Sequence, residues 1–354
     1  MAMANNATPL TLAQLSEIVS RFGHSRIAVL GDFFLDKYLD IEPGLQEVSV
    51  ETGLPAHQVV GIRSSPGAAG TVVGNLSALG AGKLHAIGWI GDDGEGFELT
   101  RGLKHLGCST EHLHVVDTVH TPTYLKPRDV HTPGLAGEHP RYDTKNRVPA
   151  TATLAQRVIR SLNAIIDDLD AVIVLDQVED EGGVVSPQVR EHVIELARSR
   201  PQILFWADSR SHLRHFRHML IKPNQFEVLE LRQPPPGTRV DEQQLTEAAR
   251  RLRERNQAPV VVTRGDCGML VSDPDWRLVP AVHVDGPIDT TGAGDSATAG
   301  AVLAICGGAS LEQAALIGNL VASLTIQQLG TTGVTSPEAL PARLEMWRSQ
   351  NEDR

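Results

Sequence analysis

The sequence predicts an α/β fold: a doubly wound, mostly parallel sheet with helices on both faces and a small β lid. The first observation is a series of short runs rich in β-branched residues, at 26–30, 84–90, 171–175, 203–207, 219–223 and 259–263. Most of them are nearly continuous in apolar residues, as strands covered on both faces must be. The second observation is that helical patterns lie between the runs, and alternating strands and helices imply a parallel sheet.

Helix signals support this alternation. The patterns TLAQRVIRSLNAIIDDL and SPQVREHVIELARSR both predict helices, and Ser186 is suited to the N-cap of the second. Near the N-terminus, Thr11 is placed to cap a short amphipathic helix. In the C-terminal part, Ser310 and Gln313 have the spacing of a capping box and predict the start of another helix.

Two segments break the rhythm of strands and helices. Residues 37–62 show strand-like alternation without a helix, and residues 115–147 are rich in Pro and Gly with short Thr, Tyr and Val runs. We expect the two segments to pair into a small sheet that covers the ligand-binding site of the α/β unit. Disordered surface loops are the alternative. The chain is therefore predicted to form one domain over 1–354, with these as lid segments. Strand-like lid segments present hydrogen-bonding edges, which a second subunit could cover.

Composition narrows the classes of function. Hydrophobic residues make up 41% and charged residues 21% of the 354 residues, the balance of a globular protein. The net charge of -11 argues against binding to nucleic acid or to an anionic membrane surface, since both need an electropositive face. Three widely spaced cysteines predict reduced thiols, and neither a signal peptide nor a membrane-spanning run is expected. We therefore expect a cytoplasmic protein.

The stretch IDTTGAGDSATAGAVL, from Ile288 to Leu303, carries the clearest chemical signal. Its GAGD sits where a loop enters a helix, so that unpaired N–H groups and the helix dipole favour an anion there. Glycine lets the backbone approach that anion closely. Asp295 would repel a bound phosphate, but the conflict disappears if Asp295 is a general base that takes the proton of an attacking hydroxyl. Gly292, Ala293 and Gly294 would then hold the phosphoryl group.

These motifs resemble the ribokinase-like (PfkB) family of carbohydrate kinases. DTTGAGDSATAGAV matches the C-terminal signature of that family, and further motifs follow its order along essentially the whole chain: GDFFLD (31–36), IGWIGDDGEG (87–96), KPNQFE (222–227) and VVTRGDCGML (261–270). Within the family, the sequence is most similar to the heptose-phosphate kinases of ADP-heptose synthesis. Some of those enzymes carry a further nucleotidyltransferase domain, whereas only kinase motifs are present here, so kinase activity alone is expected.

The resemblance implies roles for particular residues. Asp295 would be the base, with the anion hole at 292–294. The residues implied in nucleotide binding are Asn224, Glu227, Thr263, Arg264, Gly265 and Asn319. Of these, Asn224 and Glu227 would organise Mg²⁺ through phosphate and water, since that ion keeps much of its hydration. The resemblance also implies ATP as phosphoryl donor, Asp32 and Asp36 as residues that face the sugar, and Asp289 and Thr291 as positions that in some relatives bind a monovalent cation such as K⁺.

Two departures from the family pattern concern the substrate. In PGAAGTVVGN (66–75), Gly67 is kept, but Ala68 replaces a glycine and Thr71 stands where the family has an asparagine that touches the sugar. A single hydroxyl at Thr71 shortens or removes that contact. After the strand at 171–175, DQVEDEGG replaces a DYxKG-like segment, keeping Asp176 but adding three acids. The chemistry is therefore better supported than a heptose phosphate as substrate.

Basic residues gather in the second lid segment. Lys126 and Arg128 lie in TYLKPR, and Arg141, Lys145 and Arg147 lie in or next to RYDTKNR. We expect at least one of them to contact a substrate phosphate by a charge-assisted hydrogen bond, and a solvated loop is the alternative.

The sequence also bears on other classes of function. An NAD-dependent oxidoreductase is disfavoured because GWIGDDGEG does not meet the dinucleotide fingerprint, and no Walker motif GxxxxGK[ST] occurs. A ribokinase-like sensor that binds sugar or nucleotide without turnover stays open, because the asparagine contact is lost. The sequence thus predicts an ATP- and Mg²⁺-dependent kinase of a sugar or sugar phosphate, and the resemblance implies a homodimer formed through the lid.

Overall fold

A computed structural model describes residues 10–132, 134–178, 182–231, 234–235 and 237–351. Up to residue 150 the elements are α1 (Leu12–Ser20), β1 (Arg26–Gly31), β2 (Phe33–Ile41), β3 (Glu47–Val48), β4 (Pro55–Ala56), β5 (Val59–Ala68), α2 (Ala69–Ala78), β6 (Lys83–Gly91), α3 (Gly94–His105), β7 (Cys108–Val116), β8 (Thr123–Asp129) and β9 (Tyr142–Thr144).

From residue 151 onward the elements are α4 (Ala152–Ile165), β10 (Ala171–Asp176), α5 (Pro187–Ser199), β11 (Leu204–Ser209), β12 (Leu220–Ile221), α6 (Gln225–Val228), α7 (Glu242–Asn256), β13 (Val261–Thr263), β14 (Met269–Val271), β15 (Arg277–Val279), α8 (Ala293–Cys306), α9 (Leu311–Thr325) and α10 (Leu340–Asn351).

The main sheet has six strands in the order β12-β11-β10-β1-β6-β7, and every neighbouring pair is parallel. In β1, Ile27 and Val29 point to one face while Ala28 and Leu30 point to the other, and all four are fully buried. Helices α1, α2, α3, α8, α9 and α10 cover the first face, and α4, α5 and α7 cover the second. The predicted doubly wound parallel sheet is confirmed.

The run at 259–263 lies outside this main sheet. It forms β13, which pairs antiparallel with β14 in a small sheet of the order β13-β14-β15. Isolated parallel bridges, Ile221 with Val260 and Asn224 with Thr263, join this small sheet to the β12 side of the main one. The run is therefore a strand, as predicted, but its hairpin with β14 places it in an antiparallel sheet.

The two lid segments meet in a four-stranded sheet of the order β5-β2-β8-β9, here called the lid sheet. Strand β2 pairs antiparallel with β5 and parallel with β8, so the predicted pairing of the two segments is confirmed. The strands extend beyond the predicted bounds, because β2 already begins at Phe33 and β5 continues to Ala68.

Local capping signals of the sequence are also confirmed. Ser186 accepts a hydrogen bond from the N–H of Val189 at the start of α5, and Ser310 and Gln313 form the expected capping box of α9. Thr11 caps α1 in the same way. In the part of the chain that the structure describes, no helix combines the length and the apolar character needed to cross a bilayer.

Candidate active site

A cavity of about 930 Å³ opens at the carboxyl ends of strands in the main sheet. Asp208 and Arg210 come from the end of β11, Lys222 follows β12 directly, and Gly294 and Asp295 come from the first turn of α8. Open α/β sheets bind ligands at this edge, and the volume is within the range of small-molecule sites. The cavity is therefore the candidate active site.

The glycine-rich turn forms one wall of this cavity. Gly292 is the N-cap of α8 with a φ of 78°, and a Cβ at this position would lie 3.3 Å from Cγ2 of Thr71, so both the backbone and the space favour glycine. The N–H of Ala293, predicted as a donor to the anion, donates to the carbonyl oxygen of Thr290 at 3.1 Å. In the described part of the chain, no acceptor is found for the N–H groups of Gly292 and Gly294. These two amides remain available to an anion.

Asp295 lines the cavity directly beside those amides, with its side chain partly accessible. Burial, reinforced by the negative charge of Asp208, raises the pKa of Asp295 to about 7, although Lys222 and Arg210 act in the opposite direction. A carboxyl with a pKa near neutrality accepts protons far better than an ordinary aspartate does. The arrangement thus places a carboxyl group suited to proton transfer next to amides that can face an anion.

Asn224 and Glu227 stand together at the start of α6. Oδ1 of Asn224 accepts hydrogen bonds from the N–H groups of Phe226 and Glu227, and Glu227 Oε2 accepts one from the N–H of Asn224 at 2.7 Å. Burial and the charge of Asp208 raise the pKa of Glu227. Within the described ranges, no group of three or more His, Cys, Asp or Glu side chains is arranged to hold a metal ion directly.

Sequence reasoning missed a buried ion pair at the base of the cavity. Nζ of Lys222 lies 2.8 Å from Oδ2 of Asp208, and both residues are less than 10% exposed. Asp208 is the last residue but one of β11, and the carboxyl ends of strands in a parallel sheet are where ligands bind. Lys222 lies inside the quoted motif KPNQFE, but the pair joins two strands and has no signature in sequence spacing.

Arg210 is a second residue that sequence reasoning missed. It lines the cavity and donates through Nε to Oε1 of Gln177 at 3.0 Å. The positive charge of Arg210 partly opposes the rise in the pKa values of Glu227 and Asp295. The cavity therefore carries at least two cations facing its carboxylates.

The part of the chain that forms most of this cavity is similar to a known protein family. Residues 188–339 match the family model described as pfkB family carbohydrate kinase. This range of the chain is therefore similar to the pfkB family of carbohydrate kinases. The matched range contains the turn of α8, Asp295 and most of the cavity lining.

Curated relatives extend the likeness beyond the PfkB domain. The chain is 28% identical over 328 residues to the bifunctional protein HldE of Gluconobacter oxydans, covering 91% of this chain and 65% of that protein. It is 30% identical over 331 residues to HldE of Caulobacter vibrioides, with 92% and 64% covered. The chain thus spans less than two thirds of the length of these relatives.

Solved structures share the fold. Arabidopsis thaliana ribokinase, complexed with ribose and ATP, superimposes with a TM-score of 0.63 at 16% identity, covering 91% of this chain and 99% of that one. Phosphofructokinase-2 of Escherichia coli, in complex with potassium, gives 0.64 at 19% identity, with 91% and 99% covered. The chain therefore adopts the ribokinase-like fold.

The other predicted nucleotide residues lie in different places around the cavity. Thr263 lines it, and Gly265 follows at a φ of 58°. Arg264 is buried and pairs with Glu242 of α7, away from the lining. Asn319 is also buried, and its Nδ2 donates to the carbonyl oxygens of Val279 and Pro280. In this structure, Arg264 and Asn319 thus bind other parts of the protein.

Asp32 binds backbone in this structure. Its carboxylate accepts three hydrogen bonds, from the N–H groups of Gln177, Val178 and Val184, at 2.9, 3.1 and 2.7 Å. Burial, with the nearby charge of Asp176, raises the pKa of Asp32 to about 6 despite these bonds. Asp32 thus holds the two ends of the segment between β10 and α5. Glu179, Asp180 and Glu181, the three added acids of this segment, lie outside the described residues.

Asp36 and Lys126 form a buried pair in the lid sheet. Lys126 Nζ lies 2.8 Å from Asp36 Oδ1 and stands over the ring of Tyr38, 5.0 Å from its centre. Gly67 lies against the same carboxylate, since a Cβ there would be only 2.7 Å from Asp36 Oδ2. Three of the predicted substrate residues, Asp36, Gly67 and Lys126, are thereby brought together.

Three further basic residues of the lid form two groups. Arg128 lies 3.8 Å from Asp40, and its side chain is only partly exposed. Arg141 stands over the ring of Tyr124, 4.2 Å from its centre, and Lys145 lies 5.7 Å from the same centre. A basic and aromatic surface around Tyr124 thus adjoins the Asp36 pair.

Asp289 and Thr291 lie at the turn that leads into α8. One carboxylate oxygen of Asp289 accepts from the N–H of Thr291 at 3.0 Å, and the other accepts from the N–H of Gly330 at 3.1 Å. Asp289 thereby connects two loops next to the glycine-rich turn, which from here on is called the anion turn.

Proposed function

We propose that the protein is an ATP-dependent carbohydrate kinase that moves the γ-phosphoryl group of ATP to a hydroxyl of a sugar or sugar phosphate. One observation carries this proposal: Asp295, with its raised pKa, lies in a cavity large enough for a nucleotide, beside the amides of Gly292 and Gly294, which have no acceptor among the described residues. The PfkB family match supports it. The curated relatives are longer than this chain, and their name adds no further activity to the proposal.

The proposed chemistry is a single in-line transfer. The acceptor hydroxyl gives its proton to the carboxylate of Asp295 as its oxygen forms a bond to the γ-phosphorus. The bond from that phosphorus to the bridging oxygen breaks, and the oxygen leaves with its electron pair on ADP. The amides of Gly292 and Gly294 hold the negative oxygens of the phosphoryl group in transit, and the protein's contribution is mainly position and charge.

The carboxylates of the cavity fit a magnesium ion. Asp208 raises the pKa of both Glu227 and Asp295, so the cavity concentrates negative charge that a divalent cation would relieve. We assign the ion to Glu227 and Asn224, with Asp208 nearby, largely through water. When bound, Mg²⁺ neutralises the phosphate oxygens and aligns them for transfer.

The lid suggests a substrate that already carries a phosphate. Lys126 and Arg141 each stand over an aromatic ring close to Asp36. One region of the lid therefore offers a carboxylate that can accept hydrogen bonds from sugar hydroxyls, and cations that can donate to a phosphate. A heptose phosphate is one candidate. The variant Lys126→Ala/Arg128→Ala/Arg141→Ala should lose activity on sugar phosphates more than on free sugars, and equal activity on all candidate sugars would contradict this assignment.

A monovalent cation is a further part of the proposal. Asp289 and Thr291 adjoin the anion turn, and phosphofructokinase-2 of Escherichia coli, a neighbour in fold, was solved with potassium. We infer that K⁺ binding near Asp289 would stiffen the turn. Rates in KCl and in NaCl of equal ionic strength, for the wild type and for Asp289→Asn, test this: K⁺ should raise only the wild-type rate.

A homodimer through the lid also belongs to the proposal. Val48, Leu54, Val60 and Ile62, in and around β3 to β5, leave more than half of their surface exposed. Strand β5 is an edge of the lid sheet, and a second copy could cover both this edge and the apolar side chains. Sedimentation velocity of the wild type and of Ile62→Lys should show a dimer and a monomer, respectively.

A panel of sugars and sugar phosphates tests the kinase directly. ADP formation with ATP and Mg²⁺ is measured for each compound, with ATP alone as the blank. If the protein is a kinase, ADP should form only when compounds of one class of sugar are present. Thermal stabilisation by nucleotide and sugar without any ADP formation would instead support a sensor, which the loss of the asparagine contact at Thr71 keeps as the alternative.

A further inference from the structure

Lys222 is the deepest cation of the cavity. It follows β12, its N–H donates to the carbonyl oxygen of Ala207, and the residue is only 4% exposed. Lysine is almost never fully buried unless it is paired with an opposite charge. Lys222 has its partner, Asp208, but it also lines the cavity, so a ligand can reach its ammonium group.

The ammonium group lies at the anion turn. A Cβ at Gly294 would be 3.5 Å from Nζ of Lys222, so the ammonium is in van der Waals range of the first turn of α8. A helix N-terminus carries about half a positive charge and repels cations. Two positive groups thus converge on one place, beside the amides of Gly292 and Gly294, for which the described part of the chain supplies no acceptor. This arrangement is unfavourable by itself and favourable once an anion lies between them.

The ammonium group stays charged in this environment. Burial would lower the pKa of Lys222, but attraction to Asp208, and to a lesser degree to Glu227 and Asp295, outweighs burial and raises it. An ammonium group has three N–H donors and no acceptor, so Lys222 can donate a hydrogen bond to an anion in the cavity as well as to Asp208.

We propose that Lys222 is a catalytic residue: its ammonium group donates a hydrogen bond to the phosphoryl group while that group passes from the nucleotide to the acceptor. Asp208 is the positioning residue that holds the ammonium at the turn before the nucleotide binds. This inference rests on the proposed kinase function. Lys222 forms no covalent bond and keeps all its protons, and the proton of the acceptor hydroxyl goes to Asp295.

Kinetics of Lys222→Met give the first test. The ammonium acts on the oxygens in transit, so kcat should fall by about 10²- to 10³-fold, the effect of removing one donor from an oxyanion site, while the KM for ATP changes less. The acid limb of the pH profile should also move to higher pH, because Lys222 lowers the pKa of Asp295. Lys222→Arg should recover part of kcat. Lys37→Met is the control, because Lys37 is a partly buried lysine that also pairs with carboxylates, Glu95 and Glu98, but lies outside the cavity lining.

A binding measurement makes the test independent of the sugar. ADP with Mg²⁺ and aluminium fluoride mimics the phosphoryl group in transit. This mixture should stabilise the wild type against heat more than ADP with Mg²⁺ alone, and the extra stabilisation should vanish in Lys222→Met. If Lys222→Met does not fold because Asp208 is left unpaired, Lys222→Met/Asp208→Asn removes both charges, and the same loss of the extra stabilisation is expected.

The outcomes separate this inference from the kinase function. A wild type that forms no ADP with any sugar and gains no stability from ADP with Mg²⁺ would overturn the kinase itself. An active wild type, with Lys222→Met keeping more than a third of kcat, an unshifted acid limb and the full response to aluminium fluoride, would overturn the role of Lys222 alone.

Discussion

The raised pKa of Asp295 predicts an unusual pH dependence. A general base must be ionised, so kcat/KM should fall as pH falls through about 7. At pH 6 about one tenth of Asp295 would be ionised, and at pH 5 about one hundredth, by the titration of a single group. An aspartate with the ordinary pKa of 3.8 would instead remain active down to about pH 5.

The variant Asp208→Asn isolates the contribution of Asp208 to that pKa, which adds to the larger effect of burial. Asp208 is the main negative neighbour of Asp295, and its removal also frees Lys222 to act more strongly on Asp295. Both effects lower the pKa, so the acid limb should move down by about one pH unit. Asp285→Asn is the control, since Asp285 is almost fully exposed and outside the cavity lining, and it should leave the limb in place.

Initial rates should be measured by direct separation of ADP, because coupling enzymes have pH dependences of their own. Phosphate esters titrate near pH 6 as well, so the decisive quantity is the difference between variants under identical conditions. A wild-type limb near pH 4, or an Asp208→Asn limb identical to that of the wild type, would refute the electrostatic reasoning.

Three further predictions concern stability and the turn. Gly292→Ala should cost about 1 to 2 kcal/mol of unfolding free energy and at least about tenfold in turnover, because φ is positive and the new Cβ would meet Thr71; an unchanged melting temperature would contradict this. Asp295→Asn should be more stable than the wild type at pH 8, because the raised pKa of Asp295 stabilises the fold only at low pH and this contribution is lost as pH rises through 7. The stability advantage of the variant should therefore grow from pH 5 to 7 and reach about 1 to 2 kcal/mol after solvent screening of a partly accessible group. Equal melting curves of the two proteins at pH 8 would refute the raised pKa. Lys126→Met should cost about 3 kcal/mol, because Asp36 is left buried without its cation, and adding Asp36→Asn should restore most of the loss in denaturant titrations.

Local signals explain what the sequence could predict. Strands buried on both faces are continuous apolar runs, and a capping box such as that of Ser310 and Gln313 involves residues three apart, so each pattern is read within a few residues. The GAGD turn is equally local, and its place at the start of α8 follows from the apolar run behind it.

Pairing between distant residues explains what the sequence could not predict. Lys222 and Asp208 meet because β11 and β12 are neighbours, and nothing in their 14-residue spacing indicates an ion pair. Arg264 looked free to bind phosphate, but Glu242 at the start of α7 takes its guanidinium. Asp32 likewise lies in a motif whose likeness implies sugar binding, while here its oxygens accept backbone N–H groups some 150 residues away.

The central claim is that Asp295 accepts the proton of the acceptor hydroxyl beside the amides of the turn. Comparing wild type with Asp295→Asn tests it most directly, by the rate of ADP formation on the preferred sugar and by calorimetric binding of ADP with Mg²⁺ at pH 8. We expect binding within a few-fold of the wild type and turnover lower by at least about 10²-fold. Turnover of Asp295→Asn close to that of the wild type, with binding equally preserved, would contradict the account.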